Sequence, residues 1–430
     1  MAQASPNLIT GGTDLVKLQR KVQGAVLFKA MKKTPEFSLL ANMPGSELAH
    51  SRREVTQVLV IDEQGGGAFI PEFGYEARDR TDAPNEATYA YALYNDRFSI
   101  STLSRILSQS DRAAYLKDQL KFQVERMHQG FARRFSQTVY GLSSGLICQT
   151  STNATSASQT LTLINAYGQT DSASDGAGFL ARMFSVGDTI AVVRSGAIIT
   201  NGIGEVTARS EANGTISVTM VGSADVDAND EIYFAASVLN TTSDTGSCDL
   251  NKWPVGLVDA RDTASFHSID SATVPSWAAG HDSGGGRMNG TKVKVGKHFI
   301  ENKAGSGPYW FINSQGVERD IYAQQVAAVR FSNPMNMTLD GDVAIGESIT
   351  PFTSKYVPPG FACLIPKKNL LKWPLTPMPD PETGKLPDFQ DTTEVDKVAD
   401  RSGHYIGLDV VWGNIIHRHQ AYFWSNLTES

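Results

Sequence analysis

The stretch Asp111–Tyr140 reads DRAAYLKDQLKFQVERMHQGFARRFSQTVY. Its apolar residues Leu116, Leu120, Val124, Met127, Phe131, Phe135 and Val139 recur at spacings of three and four, one continuous stripe along an α-helix. At ~1.5 Å per residue such a helix is a rod of roughly 45 Å. Gly141 follows it and suits a left-handed C-terminal cap. A rod this long, apolar on one side only, predicts a subunit built to touch neighbours more than to enclose a substrate.

Upstream, residues 54–100 alternate in β fashion, carry Gly65-Gly66-Gly67 near the first strand, and hold nine acids against three arginines. This predicts an extended, acidic two-stranded loop. Residues 1–53 have the opposite charge, eight Lys and Arg against three acids. Asp14–Lys33 has helical spacing before Pro35 and Pro44 interrupt it, which predicts a basic helical arm bearing Lys17, Arg20, Lys21, Lys29, Lys32 and Lys33. Opposite charge in two extended segments suits head-to-tail contact between copies. Glu72, Glu76 and Asp79 of one copy would then face Lys117, Lys121, Arg133 and Arg134 on the long helix of the next. A solvated helix with local pairs such as Lys121 with Glu125 explains the basic residues equally well.

Downstream, residues 150–180 are rich in Ser, Thr, Ala, Gly and Asn and read as a boundary. Short strands are then predicted at Ser185–Val193, Ala197–Thr200, Gly204–Ala208, Thr215–Met220 and Glu231–Ala235, with a hairpin turn at Asn213-Gly214. Together they imply a small barrel or sandwich. Residues 171–240 hold nine acids, three arginines and no lysine, which argues against nucleic-acid binding there. From 246 the pattern is mixed α/β: a strand at Pro308–Asn313, a helix capped by Ser314, a strand at Phe361–Ile365, and an irregular run with Pro374, Pro377, Pro379, Pro381 and Pro387. Segments 404–411 and 414–424 read as a hairpin joined at Gly413-Asn414.

The chain has 430 residues, 41% apolar and 19% charged, with net charge −7, which suits a globular protein and disfavours a general polyanion binder. Cys148, Cys248 and Cys363 form neither a metal spacing nor an even-numbered framework, so a reducing interior is expected. The N-terminus reads as having no leader, no window is long enough to span a membrane, and cytoplasmic synthesis is expected. Gly141-Leu-Ser143-Ser-Gly145 has the letters of a nucleophile elbow but follows a helix instead of a strand. Gly290–Lys297 lacks the phosphate-loop spacing, and His298 stands where a Ser or Thr would hold magnesium. His417 and His419 share a strand face but have no third ligand at a metal spacing. Asp259, Asp262 and Asp270 make no assignable acid/base pair. No catalytic residue, cofactor or metal is assigned.

The order of parts resembles the major capsid proteins of tailed bacteriophages, the Hong Kong 97 fold. The local match is Pro254-Val-Gly-Leu-Val-Asp-Ala-Arg-Asp-Thr-Ala-Ser-Phe-His-Ser-Ile-Asp270 with Val274-Pro275 and Trp277. It is similar to that family's GL-x-D-A, G-I-x-R, Y-P-x-W signature, with Ser268 for the Gly, Ser271 for the Arg and Val274 for the aromatic. Gly407-Leu-Asp409 and a final aromatic strand are also similar.

The resemblance implies an α+β Hong Kong 97-like capsid fold: an N-terminal arm (1–53), an extended β-hairpin loop lying over an adjacent subunit (54–100), and a peripheral domain with a spine helix (101–149). It further implies an inserted small all-β domain (150–245), an axial domain (246–375) and a return to the peripheral domain (376–430). The implied function is a coat protein that assembles as hexamers and pentamers into an icosahedral shell around double-stranded DNA. Its partners would be other copies, scaffolding, portal and decoration proteins, and the packaged DNA, with no membrane. Some members join subunits by Lys–Asn bonds; no such pair is assigned here. A soluble enzyme with a β-rich accessory domain would need converging acids or histidines, and a tail or adhesion component would show internal repeats, which this chain lacks.

Overall fold

The computed structural model describes residues 34–42, 49–50, 54–59, 61, 85–101, 114–169, 176–235, 248–262, 264–303, 305–332, 348–372, 396–397 and 403–429. The Asp14–Lys33 helix, Gly65–Gly67 and the proline run at 374–387 lie outside them.

The long helix runs from Ala114 to Tyr140. Met127, Phe131, Phe135 and Val139 of its stripe are buried, each worth roughly 1.5–3 kcal/mol. Phe131 meets Tyr94 at 5.2 Å and Trp412 at 5.5 Å, ring centre to ring centre. Those rings come from a long antiparallel pair, Ala92–Ser101 with Gly403–Trp412, in register from Ala92↔Trp412 to Ser101↔Gly403. Just before it, Glu54–Leu59 pairs antiparallel with Asn85–Ala90 on one side and Ala49–His50 on the other, a small three-stranded sheet, the ribbon base.

A closed barrel follows, with strand order Thr215–Val226, Ala154–Ile164, Cys148–Thr150, Glu231–Phe234, Thr189–Arg194 and Ala197–Ser210. Residues 150–180, expected to be a boundary, contribute an eleven-residue strand and the helix Gly176–Arg182. The Ala154–Ile164 strand looks loop-like in sequence because its outer face is mainly exposed Ser and Thr, while Gln159, Leu161 and Leu163 carry the inward face. The expected Asn213-Gly214 turn is present: Gly214 has φ 61° and Ser210 pairs with Thr215.

The remaining body is a five-stranded mixed sheet in the order Gly280–Asp282, Tyr422–Trp424, Ala362–Pro366, Tyr309–Asn313, Ile349–Thr353. Helices Gly290–Asn302 and Gln315–Ser332 cover one face, packing Val293, Ile300, Val317 and Ile321 against Phe311, Leu364 and Trp424. The opposite face, with Ile312, Cys363, Ile365 and Phe423, joins the main core shared with the long helix and the barrel. Burial on both faces explains why Ala362–Pro366 is apolar without alternation.

The expected C-terminal hairpin does not form. Gly403–Trp412 pairs with Ala92–Ser101, Asn414–Ile416 pairs with Leu370–Lys372, and Tyr422–Trp424 enters the five-stranded sheet. Ten register pairs with a distant strand outweigh the few that a local turn would allow. Gly413 lies at the change of sheet, where a Cβ would come within 3.0 Å of the Ala90 carbonyl. His417 and His419 accordingly sit at a short 3-10 turn, Arg418–Gln420, and not on a strand face.

Candidate functional site

Three joints hold the long helix and the ribbon base to the body. At the first, Arg133 pairs through Nη2 with Asp188 Oδ1 at 2.6 Å and also donates to Ser185 Oγ, both in the turn leading into the barrel strand Thr189–Arg194. Arg134 lies over the Phe234 ring of the same barrel. Burial pulls its guanidinium down to about 10, with Asp188 holding it up. Both arginines, expected to face another copy's acidic loop, are therefore engaged within the subunit. A basic residue near the end of a one-sided helix does not reveal whether its partner comes from the same chain.

The second joint is the docking of residues 34–42. Glu36 is buried and accepts from Ser136 Oγ at 3.0 Å and from Ser354 Oγ. Phe37 packs on Phe135 at 6.2 Å and beneath the Lys372 ammonium. Lys372 Nζ donates to the Phe37 carbonyl at 3.1 Å, and burial lowers that ammonium to about 8. Ala41–Asn42 then pairs in parallel with Leu371–Lys372. Neither Glu36 nor Lys372 stood out in the sequence; a lone acid beside Pro35 and a lysine before a proline run look like surface residues.

The third joint is made by the segment from Pro254 to Trp277. Leu257–Asp262 is a short helix, and Asp259 accepts from the Ser143 backbone N–H at 3.0 Å. Gly141-Leu-Ser-Ser-Gly145 is thus a helix exit: Gly145, with φ 78°, takes the left-handed position expected of Gly141. Gly141 instead provides space, since a Cβ there would approach the Trp253 ring to 2.9 Å. Ser265–Phe266 and Ile269–Asp270 form a small hairpin whose turn residues, His267 and Ser268, both have positive φ, 52° and 64°. Trp277 is fully buried, donates to the Phe266 carbonyl at 3.1 Å and stacks on His419 at 5.2 Å.

His267 reaches the ribbon base. Its carbonyl accepts from Thr88 N at 2.9 Å, and its ring stands edge-on to Tyr89 with centres 4.4 Å apart. Tyr89 donates to Gln57 Oε1 at 2.8 Å, and His417 Nε2 lies 3.3 Å from that oxygen. Burial depresses His267 well below the ordinary histidine range, helped by His417 and Arg418, and pulls His417 to about 4.

Lys117 and Lys121 lie on the long helix, with side chains outside the described set. Glu72, Glu76, Asp79, Lys17, Arg20, Lys21, Lys29, Lys32 and Lys33 lie outside the described residues. Among the described residues no three His, Cys, Asp or Glu side chains gather as metal ligands would, and no helix is long and apolar enough to cross a membrane.

No known family's sequence model matches the chain, and neither does any curated protein sequence. Its fold does match solved structures. The chain is similar to one in the capsid asymmetric unit of cyanophage A-1(L), at TM-score 0.50 and 10% identity, over 92% of this chain and 93% of that one. A chain of the satellite phage P4 procapsid that includes the size determination protein Sid gives 0.42 and 8%, over 100% and 94%. One from Gordonia phage Cozz gives 0.41 and 11%, over 91% and 86%. The chain has a phage capsid-subunit fold, with strands and helices mixed throughout.

Proposed function

We propose that this chain is the major capsid protein of a tailed bacteriophage, assembling as hexamers and pentamers into an icosahedral shell around double-stranded DNA. The observation that carries the reading is end-to-end likeness to a chain of the cyanophage A-1(L) capsid over nine-tenths of both lengths. The long one-sided helix and the antiparallel pairing of Glu54–Leu59 with Asn85–Ala90 fit a Hong Kong 97-like subunit. On that reading residues 1–53 are the arm, 54–100 the loop laid over a neighbour, 101–149 and 376–430 the peripheral domain, 150–245 an inserted β domain and 246–375 the axial domain.

The subunit acts by contact and not by catalysis. Many modest contacts repeated over a closed shell let wrong ones dissolve while right ones win by multiplicity. Charge opposition between an acidic loop carrying Glu72, Glu76 and Asp79 and the basic residues Lys117 and Lys121 of the next copy sets register more than affinity. The basic arm faces inward, to packaged DNA or to an acidic scaffold; portal and decoration proteins are further partners, and the virion is the final location.

Electron microscopy and sedimentation of the purified protein test the proposal. Closed shells forming with rising concentration are expected, and a monodisperse monomer at every salt and concentration would overturn it. Reversing the charges of Glu72, Glu76 and Asp79 together should impair assembly while leaving the unfolding midpoint of the unassembled subunit unchanged. A large drop in that midpoint would show that the loop supports its own subunit instead.

A further inference from the structure

Three elements distant in sequence meet around two histidine rings at the ribbon base. Tyr89 and Gln57 come from the two paired ribbon strands, His267 from the turn of the Ser265–Asp270 hairpin, and His417 from the residue just after the strand Asn414–Ile416. The polar contacts specify a charge state. The Ile416 backbone N–H donates to His267 Nε2 at 3.3 Å. A backbone N–H is always a donor, so Nε2 must keep its lone pair and the ring must be neutral. A proton on Nε2 would set two donors against each other and cancel that hydrogen bond.

The backbone at His267 adds a second observation. A residue at φ 52° followed by one at φ 64° is a turn that Asn-Gly would fill at low cost, yet His-Ser occupies it. The turn aims the His267 carbonyl at Thr88 and its ring at Tyr89. Both ends of that residue therefore join the ribbon base to the body.

Burial favours both neutral rings, and at His267 the nearby Arg418 adds to it. Arg418 is buried beside them and donates to the Ala264 carbonyl at 3.0 Å. His419 stacks on Trp277 on the far side of the same turn. The acids of the neighbourhood, Asp259 and Asp270, act on Arg418, and Asp259 is also bonded to Ser143 N. From the ribbon side come the phenol of Tyr89 and the neutral amide of Gln57.

We propose that His267 and His417 form an acid-released latch that ties the ribbon base to the subunit body. Held neutral, the rings close the joint; protonated, they add charge next to Arg418, and His267 loses the Ile416 contact. For a histidine whose folded pKa lies below its free value of 6.5, the released state binds more protons between the two values. The latch is therefore complete above about pH 6.5 and weakens progressively as pH falls through the depressed folded value of each ring, about 4 for His417. This inference concerns the single subunit and holds for any assembly that the subunit enters.

Hydrogen–deuterium exchange of the full chain, corrected for intrinsic rates over a pH series, tests it. The amides of Thr88 and Ile416 should lose protection at least about ten-fold between neutral pH and pH ~4, while those of Thr189–Arg194 in the barrel keep theirs. Slow exchange at the histidine ring C2 position, read by mass spectrometry on the same samples, gives each ring's titration. His267 and His417 should titrate where the two amides open. In the variant His267→Asn with His417→Gln, neither side chain titrates and Asn tolerates the turn, so the pH dependence should disappear. Protection that persists through both ring titrations, or that fails together with the barrel, overturns the proposal. Should the double variant fail to fold, the agreement between ring titration and amide opening in the parent decides alone.

Discussion

Replacing Gly256 with alanine should destabilise the subunit more than its single methyl group suggests. A Cβ at this position would sit 2.8 Å from Gly141 N and from the Thr138 carbonyl, and closer still to the Gly141 carbonyl. Ordinary contact begins at 3.4 Å, so the intrusion is at least ~0.6 Å into three atoms at once. All three belong to the backbone at the end of the long helix and cannot rotate away. Either that end retreats, loosening Val139 and Tyr140 from the core, or Leu257–Asp262 does. Overpacking that side chains can absorb costs ~1–3 kcal/mol, and with backbone on both sides the loss should be about 3 kcal/mol or more. Urea denaturation of unassembled subunits, followed by tryptophan fluorescence, measures it. Gly290→Ala is the control, since nothing lies within 4 Å of its Cβ and helix propensity favours the change by up to ~1 kcal/mol. A Gly256→Ala subunit within about 1 kcal/mol of the parent would refute the backbone-contact reasoning.

Glu429→Ala should cost roughly 1–3 kcal/mol, because Glu429 accepts from Gly360 N at 2.6 Å and from Ser314 Oγ at the start of the Gln315–Ser332 helix; thermal unfolding checks it. A double-mutant cycle with Arg133→Ala and Asp188→Ala should return a coupling of about 1–2 kcal/mol, since the pair is only 18% and 13% exposed and its bond is charge-assisted. A coupling below ~0.3 kcal/mol would mean that the arginine does not fix the helix to the barrel. A cycle with Phe37→Ala and Phe135→Ala should give about 0.5–1.5 kcal/mol, the value of one aromatic pair, and no coupling would mean that Phe37 does not rest on the long helix in solution.

Local periodicity carried much of the fold. The long helix is legible because one face alone is buried, and residues such as Phe131 and Phe135 recur at helical spacing. Several barrel strands are legible because turn residues such as Gly214 bracket them. Where a strand's outer face is Ser and Thr, as in Ala154–Ile164, composition imitates a loop and the element is missed. Pairing across long separations is not written in local pattern either, so 404–411 reads as half of a hairpin although its partner strand lies about three hundred residues away. Charge alone was a poor guide to partners, as Arg133 and Asp188 show. His267 gave no signal at all, because its role depends on an unfavourable backbone angle that its residue type disguises.

The final thirty residues supply one strand each to three separate sheets. Ala92–Ser101 therefore waits for Gly403–Trp412 to emerge from the ribosome, and the Trp412 ring that covers Phe131 and Phe135 arrives at the same late moment. Products truncated before Gly403 keep that strand open and those rings wet, a state prone to aggregation. Reaching Trp424 thus becomes a checkpoint in synthesis, since three sheets each stay one strand short until then.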